Sequence, residues 1–128
     1  MERFMEFTFV AAQRLPKVGP AHQAARLHGH SFRLRVTVAA DPDPALGWIM
    51  DPAEMRAAVN AVLGEIDHRY LNELPGLENP STENLCRTLA ERLAGRLPGR
   101  VNVELWENQT VGCVTPNLAT DAFNGAQP

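Results

Sequence analysis

Apolar and polar residues alternate along the first part of the chain with the two-residue period of a half-buried β-strand. The first run covers residues 5–11, and Gln13 continues its apolar series. A second run covers residues 32–38, and His28 and His30 lie in register with its apolar set. Because residues i and i+2 of a strand project from one face, the two imidazoles are predicted to lie close together. A His-x-His pair of this kind suggests a metal or ligand site.

The pattern then changes to helical spacing in two segments. Asp51-Pro52-Ala53-Glu54 predicts a helix start, with Asp as N-cap, Pro at the first helical position and Glu in the capping-box position. Its apolar stripe predicts a helix that ends near Asp67. A second helix starts at Asn79 or Ser81, which are alternative caps, and is stopped by Pro98.

The remaining segments are two connections and two short strands. Residues 14–27 contain two prolines and show no periodicity, which predicts a long loop, and residues 67–76 form a polar connector. Residues 101–105 alternate again as a third strand, and Glu107 is in register with its apolar set. A fourth short strand is predicted at residues 111–114.

The order strand, strand, helix, helix, strand, strand predicts an α+β domain, with a four-stranded antiparallel sheet and two helices packed on one face. We expect one domain over residues 1–118 and a loosely ordered tail over residues 119–128. Open sheet edges and a polar uncovered face favour edge-to-edge closure into an oligomer.

Composition narrows the range of partners. The chain has 128 residues, 45% of them hydrophobic, a formal charge of −3 and no basic run, so neither nucleic acid nor an anionic membrane is an expected partner. It shows no signal-peptide pattern and no apolar run of about 18 residues, and we expect a cytoplasmic protein with a small ligand.

Cys86 and Cys113 are not spaced as CxxC, which favours buried apolar packing over a disulfide.

Polar residues interrupt the apolar series near the strand ends. Gln13, His30 and Glu107 stand where apolar side chains would continue the pattern. Because a buried polar group needs a partner, these exceptions favour a pocket, although each of them alone is also compatible with a solvated or structural role. Asp67-His68 is either an acid–base pair or a polar helix C-terminus.

Six segments carry a family resemblance: residues 7–16, 27–32, 47–51, 67–72, 80–85 and 106–107. Together they resemble the 6-pyruvoyl tetrahydropterin synthase family, most closely the bacterial 6-carboxytetrahydropterin synthase branch of queuosine biosynthesis. The resemblance implies a tunnel fold, in which three subunits close a barrel, two trimers stack into a homohexamer and active sites lie between subunits.

The resemblance also implies a zinc ion held by three histidines and a cysteine base four residues before His-x-His. His28 and His30 match two zinc ligands, but Gln13 stands at the third position and Ala24 at the cysteine position. An amide oxygen is a weak substitute for imidazole on zinc, and alanine cannot abstract a proton. His22 is an alternative third imidazole.

The residues that bind the organic ligand match the family more completely. Asp67 and His68 match a pair that assists proton transfer, and Glu107 matches a strand-end carboxylate that binds the pterin edge. Ser81 and Thr82 match a hydroxyl pair at a helix start.

The main hypothesis is therefore a homologue that binds a pterin- or purine-like ligand at Glu107, needs no cofactor and does not run the zinc- and cysteine-dependent reaction. Gln13 is counted among its ligand-binding residues with Ser81 and Thr82. The hypothesis leaves open another reaction step catalysed by Asp67 and His68. One alternative is an active 6-carboxy-5,6,7,8-tetrahydropterin synthase in which His22 completes the zinc site and His68 or water is the base. Another is a purely structural ring with a vestigial pocket.

Overall fold

The computed structural model describes residues 1–115, which form one five-stranded sheet and two α-helices. The spatial strand order is β3-β1-β2-β4-β5. The α+β class is confirmed, and the sheet has five strands where four were predicted. In chain order the elements are β1 Glu2–Gln13, β2 His28–Ala39, α1 Pro52–Leu63, β3 Arg69–Tyr70, α2 Thr82–Ala94, β4 Arg100–Trp106 and β5 Gly112–Val114, with short 3₁₀ helices at Gln23–Ala25 and Leu71–Glu73.

The first two strands form the longest pairing in the sheet. They are antiparallel and run in register from the Glu2–Ala39 pair to the Gln13–His28 pair. Both extend beyond the alternating runs that predict them, because backbone pairing continues where the side-chain pattern has ended. The pairing confirms that Gln13 and the two histidines lie at the same end of the sheet.

The helix starts agree with the capping chemistry, whereas both helices end before their predicted positions. Helix α2 ends at Ala94, and turns lead from there to Pro98. The Asp51 carboxylate accepts a hydrogen bond from the Ala53 N–H, and the Ser81 hydroxyl accepts one from the Asn84 N–H, so Ser81 is the cap of α2. Helix α1 ends at Leu63, and the prediction of an end near Asp67 was wrong. Tight turns follow Leu63, and they still bury Ile66.

Both helices pack on one face of the sheet, as predicted. The apolar sets of β1, β2 and β4 form a single buried cluster with the stripes of α1 and α2. The opposite face carries charged residues, among them Glu6, Arg35 and Glu104. Arg35 lies 2.8 Å from Glu6. The largest fully buried side chains include Phe32, Leu34, Met55, Ile66, Leu85, Leu89, Leu93 and Leu105.

Strand β3 lies inside the predicted connector. It pairs in parallel with the end of β1, through the Ala11–Arg69 and Ala12–Tyr70 partners. Two residues are too few to show periodicity, so the hydrophobic pattern carries no signal for this strand.

Neither helix among residues 1–115 is long and apolar enough to cross a membrane. The predicted tail at 119–128 and the last three residues of the predicted domain lie outside the described residues.

Candidate functional site

The candidate site lies where β1 ends and β2 begins. Gln13 is the direct partner of His28 across this pair, and Ala11 is the partner of His30. The two imidazole rings lie edge to face, with centroids 5.1 Å apart and an interplanar angle of 86°. The prediction that His28 and His30 lie together is confirmed.

A backbone carbonyl fixes the tautomer of His28. Its Nδ1 lies 2.8 Å from the carbonyl oxygen of Arg26. Because a carbonyl oxygen only accepts hydrogen bonds, Nδ1 carries the proton and donates. In the neutral imidazole, the other ring nitrogen, Nε2, then carries the lone pair.

His30 lies in a more buried environment. Burial lowers the pKa of His30 most strongly, the nearby Glu107 carboxylate opposes that effect, and His28 adds to it. The ring also packs edge-on against Phe32, with centroids 5.4 Å apart. Since the ordinary histidine pKa is about 6.5, this lowering favours the neutral form of His30 at pH 7.

Glu107 follows β4 and is oriented by the start of α2. The Thr82 hydroxyl donates a hydrogen bond of 2.6 Å to Oε1 of Glu107, and the Glu107 N–H donates to the carbonyl of Val111. The structure thus joins two predicted ligand-binding residues. The third, Ser81, uses its hydroxyl oxygen to cap α2.

Gln13 has an unusual environment for a polar residue. It is only 3% exposed, and its Oε1 has no hydrogen-bond partner among the described residues. A buried acceptor without a partner is rare in folded proteins and needs an explanation.

The residues present do not fit the three-imidazole zinc site that the resemblance implies. Within residues 1–115, no three His, Cys, Asp or Glu side chains are grouped as metal ligands. His22 instead caps the 3₁₀ helix Gln23–Ala25, where its Nδ1 accepts a hydrogen bond from the Ala24 N–H. Two imidazoles and the neutral amide oxygen of Gln13 are a weak donor set for zinc.

The Asp67–His68 pair is held beside the same strand end. Oδ1 of Asp67 lies 2.9 Å from Nδ1 of His68 and accepts a hydrogen bond from the Val10 N–H. His68 has a left-handed backbone, with φ 61°, and its side chain is 78% exposed. His68, His30 and Tyr70 are among the residues that line one open cleft.

Glu107 lines a neighbouring recess, with Ser31 and Arg33. The Arg33 guanidinium lies 3.8 Å above the Trp106 ring. The alternation predicts only that Arg33 lies on the polar, uncovered face of the sheet. Its place beside Glu107 was therefore not predicted from the sequence. An arginine in an alternating strand gives no signal for such a position.

The cysteines lie elsewhere, in a cavity between α2 and β5 that Glu83 and Thr115 also line. Cys86 is 2% exposed, and burial, with Cys113 nearby, raises the pKa of its thiol to about 12. Cys113 is half-buried. Neither cysteine lines the cleft of His30 and His68.

Comparison with known sequences finds one family over nearly the whole chain. The family model described as 6-pyruvoyl tetrahydropterin synthase matches residues 3–117. A 6-carboxy-5,6,7,8-tetrahydropterin synthase of Synechocystis is 38% identical over 114 residues, which cover 84% of this chain and 86% of the relative. A dihydroneopterin monophosphate aldolase of Pyrococcus furiosus is also 38% identical, over 67% of this chain and 75% of that protein.

Solved structures share the fold at lower sequence identity. The 6-pyruvoyl tetrahydropterin synthase of Caenorhabditis elegans superimposes with a TM-score of 0.82 at 21% identity, covering 91% of this chain and 95% of that one. The Plasmodium vivax enzyme superimposes with a TM-score of 0.70 at 15% identity, covering 91% and 98%. These likenesses confirm the subunit fold expected from the sequence, an antiparallel sheet with two helices on one face.

Proposed function

Because the chain belongs to the 6-pyruvoyl tetrahydropterin synthase family, we propose that it binds a pterin- or purine-like ring through Glu107. We further propose that it does not run the zinc- and cysteine-dependent synthase reaction. The family and its curated relatives support a pterin-related function. The homohexamer and the cytoplasmic location remain predictions.

The main observation in support of ring binding is the hydrogen bond from the Thr82 hydroxyl to Oε1 of Glu107. It holds the carboxylate in one orientation and leaves Oε2 available to a ligand. A 2-amino-4-oxo ring edge presents adjacent N–H donors, and a carboxylate accepts such donors as parallel, charge-assisted hydrogen bonds. Guanine-like rings present the same edge, which is why the ligand class includes purines.

The proposal that the synthase reaction is absent rests on two residues. Ala24 has no titratable group, and loss of a positioned general base costs roughly 10²- to 10⁴-fold in rate. Gln13 replaces the third imidazole by a neutral oxygen. Ring binding through Glu107 needs neither of the missing groups, so it is compatible with both replacements.

Substitution of Glu107 tests ring binding directly. Glu107→Gln keeps the shape of the side chain and removes its charge. Since hydrogen bonds to a charged group contribute ~1.5–3 kcal/mol, we expect pterin affinity to fall about 10- to 150-fold in a fluorescence titration. Glu104→Gln is the matched control, because Glu104 lies on β4, the strand that Glu107 follows, and faces Arg35.

Unchanged pterin affinity in Glu107→Gln would refute ring binding at this site and favour the structural ring. The second part of the proposal has its own test, in which metal content and turnover of dihydroneopterin triphosphate are measured on purified protein. Stoichiometric zinc together with synthase turnover would refute that part and favour the active synthase.

A second candidate function is aldol cleavage of a hydroxylated pterin side chain. It is favoured by the contact of His68 with Asp67 in the cleft that also contains His30, and by the relative named as an aldolase. Neutral His68 would take the proton of a side-chain hydroxyl while the adjacent carbon–carbon bond breaks. The bond's electron pair would pass into the ring, which then takes up a proton.

His68→Asn tests the cleavage, since asparagine tolerates the left-handed backbone at this position. We expect this variant to keep ring affinity and to lose release of the aldehyde product from dihydroneopterin or its monophosphate, measured by mass spectrometry. Failure of the wild-type protein to release aldehyde would exclude the second candidate.

A further inference from the structure

The two cysteines are brought together by contacts between distant segments. Cys86 lies on α2, and Cys113 lies on β5, 27 positions later. The sulfur of Cys86 lies 3.6 Å from the carbonyl oxygen of Val103 and 3.7 Å from that of Cys113. Both cysteines are free thiols, and both line a cavity of about 380 Å³. The fold therefore brings two oxidisable sulfurs to the contact of a helix with an edge strand.

The surroundings of the two thiols differ. Cys86 is buried and Cys113 is half-buried, so a reagent from solvent meets Cys113 first. Burial raises the pKa of both thiols, and a hydrogen bond between the two side chains adds to the rise at Cys86 and opposes it at Cys113. Because the thiolate is the reactive form of cysteine, Cys113 is the sulfur that reacts first with an oxidant. Cys86 is shielded from solvent and lies beside it as the second thiol.

The thiol pair is close to the residues that orient Glu107. Thr82, whose hydroxyl donates to Glu107, lies one helical turn before Cys86 on α2. Cys113 is the cross-strand partner of Leu105, two residues before Glu107. A covalent bond between the two sulfurs would therefore fix α2 on the hairpin that carries Glu107.

We propose that Cys86 and Cys113 are a peroxide-responsive thiol pair, which closes into an intramolecular disulfide and ties α2 to β5. The oxidant is a hydroperoxide, and hydrogen peroxide is its smallest member. Disulfides in reducing compartments are usually transient, and exchange with a small thiol reverses this one.

The oxidation takes two steps. The Cys113 thiolate first attacks one peroxide oxygen, so that an S–O bond forms and the O–O bond breaks. The leaving hydroxide takes the proton that the thiol released, which gives a sulfenic acid and one water. The Cys86 sulfur then attacks the sulfenic sulfur, the S–S bond forms and the S–O bond breaks. The hydroxide leaves with the Cys86 proton as a second water, so the two thiols lose the two electrons that the peroxide gains.

The test treats the full chain with hydrogen peroxide under native conditions, alkylates the remaining thiols in urea and maps unreduced peptides by mass spectrometry. We expect two peptides joined through Cys86 and Cys113, which dithiothreitol returns to two separate thiols. Amide exchange at Glu107 should become slower in the oxidised protein, whereas exchange at Leu34, inside the β1–β2 pairing, should not change.

The disulfide should also raise the urea concentration at which the protein unfolds, because it restricts the unfolded chain. Cys113→Ser treated with the same peroxide is the matched control and should show no such rise. In this variant Cys86 should remain a free thiol, since it is buried. In Cys86→Ala, Cys113 has no second thiol, so its sulfenic acid should be trapped by dimedone.

Three results would overturn the proposal. The first is wild-type protein in which both cysteines are still alkylated after peroxide treatment. The second is sulfinic acid at Cys113 with no joined peptides. The third is a disulfide between the Cys113 residues of two chains, seen as a dimer on a non-reducing gel. These measurements use no pterin, so their outcome is independent of the proposed function.

Discussion

Two buried polar side chains, Gln13 and Thr115, have opposite environments. Thr115 follows β5 and is 8% exposed, and its hydroxyl accepts from the Val103 N–H at 2.9 Å and donates to Oδ1 of Asn102 at 2.6 Å. Gln13 is buried more deeply, and its Oε1 has no partner in the described chain. The β4–β5 region satisfies its polar groups internally, whereas the β1–β2 end does not.

This difference separates a buried polar group that is paired within the fold from one that is not. Burial alone marks both residues, so it does not identify a site. Hydrogen-bond partners distinguish them, because a fully paired network stabilises the fold and an unpaired group costs free energy unless something binds it. Three changes test this contrast, and the largest expected effect comes first.

Burial between α2 and β5 makes Cys86 unreactive. Its folded-state pKa of about 12, against an ordinary value of 9.0, lowers the thiolate fraction at pH 8 by on the order of 10³-fold. We expect iodoacetamide to modify Cys86 that much more slowly in the native protein than in urea, as followed by mass spectrometry of the Cys86 peptide. Equal rates in both conditions would show that this region is open.

The raised pKa of Cys86 also makes the stability of the folded protein depend on pH. Because folding raises the pKa of the thiol, the stability from keeping Cys86 protonated is fully present below about pH 9. It is lost as pH rises from about 9 towards 12.

The second change removes the paired hydroxyl. Thr115→Val conserves shape and leaves the buried Val103 N–H without its acceptor, so we expect unfolding free energy to fall by about 1–3 kcal/mol in urea denaturation. Thr8→Val, at an exposed position of β1, is the control and should stay within about 0.5 kcal/mol. Pterin affinity should not change in either variant.

The smallest effect is expected at Gln13. Gln13→Met removes an acceptor that has no internal partner, so the same urea series should show a change within about 0.5 kcal/mol or a small gain in stability. A loss comparable to that of Thr115→Val would contradict the contrast, since it would mean that the native protein already pairs this amide.

The sequence predicts those parts of the structure that depend on local chemistry. Alternation identifies β1 and β2, the Asp51-Pro52 cap identifies the start of α1, and the shared phase of His28 and His30 identifies the site. In each case neighbouring residues set the outcome.

The parts that the sequence does not predict depend on distant segments. Strand β3 forms only because the connector reaches the edge of β1, and this contact brings His68 to the cleft of His30. The bond from Thr82 to Glu107 joins residues 25 positions apart, and no periodicity encodes such a contact. The missing partner of Gln13 is likewise visible only once the surrounding atoms are placed.

Strand β3 also limits how far another chain can extend along the outer edge of β1. Asp67 and His68 already bond the outward N–H and C=O of Val10, and β3 covers Ala11 and Ala12. Any strand that adds to this edge must therefore stop before Val10. The two residues of β3 would therefore end the pairing of an incoming strand next to the Asp67–His68 pair.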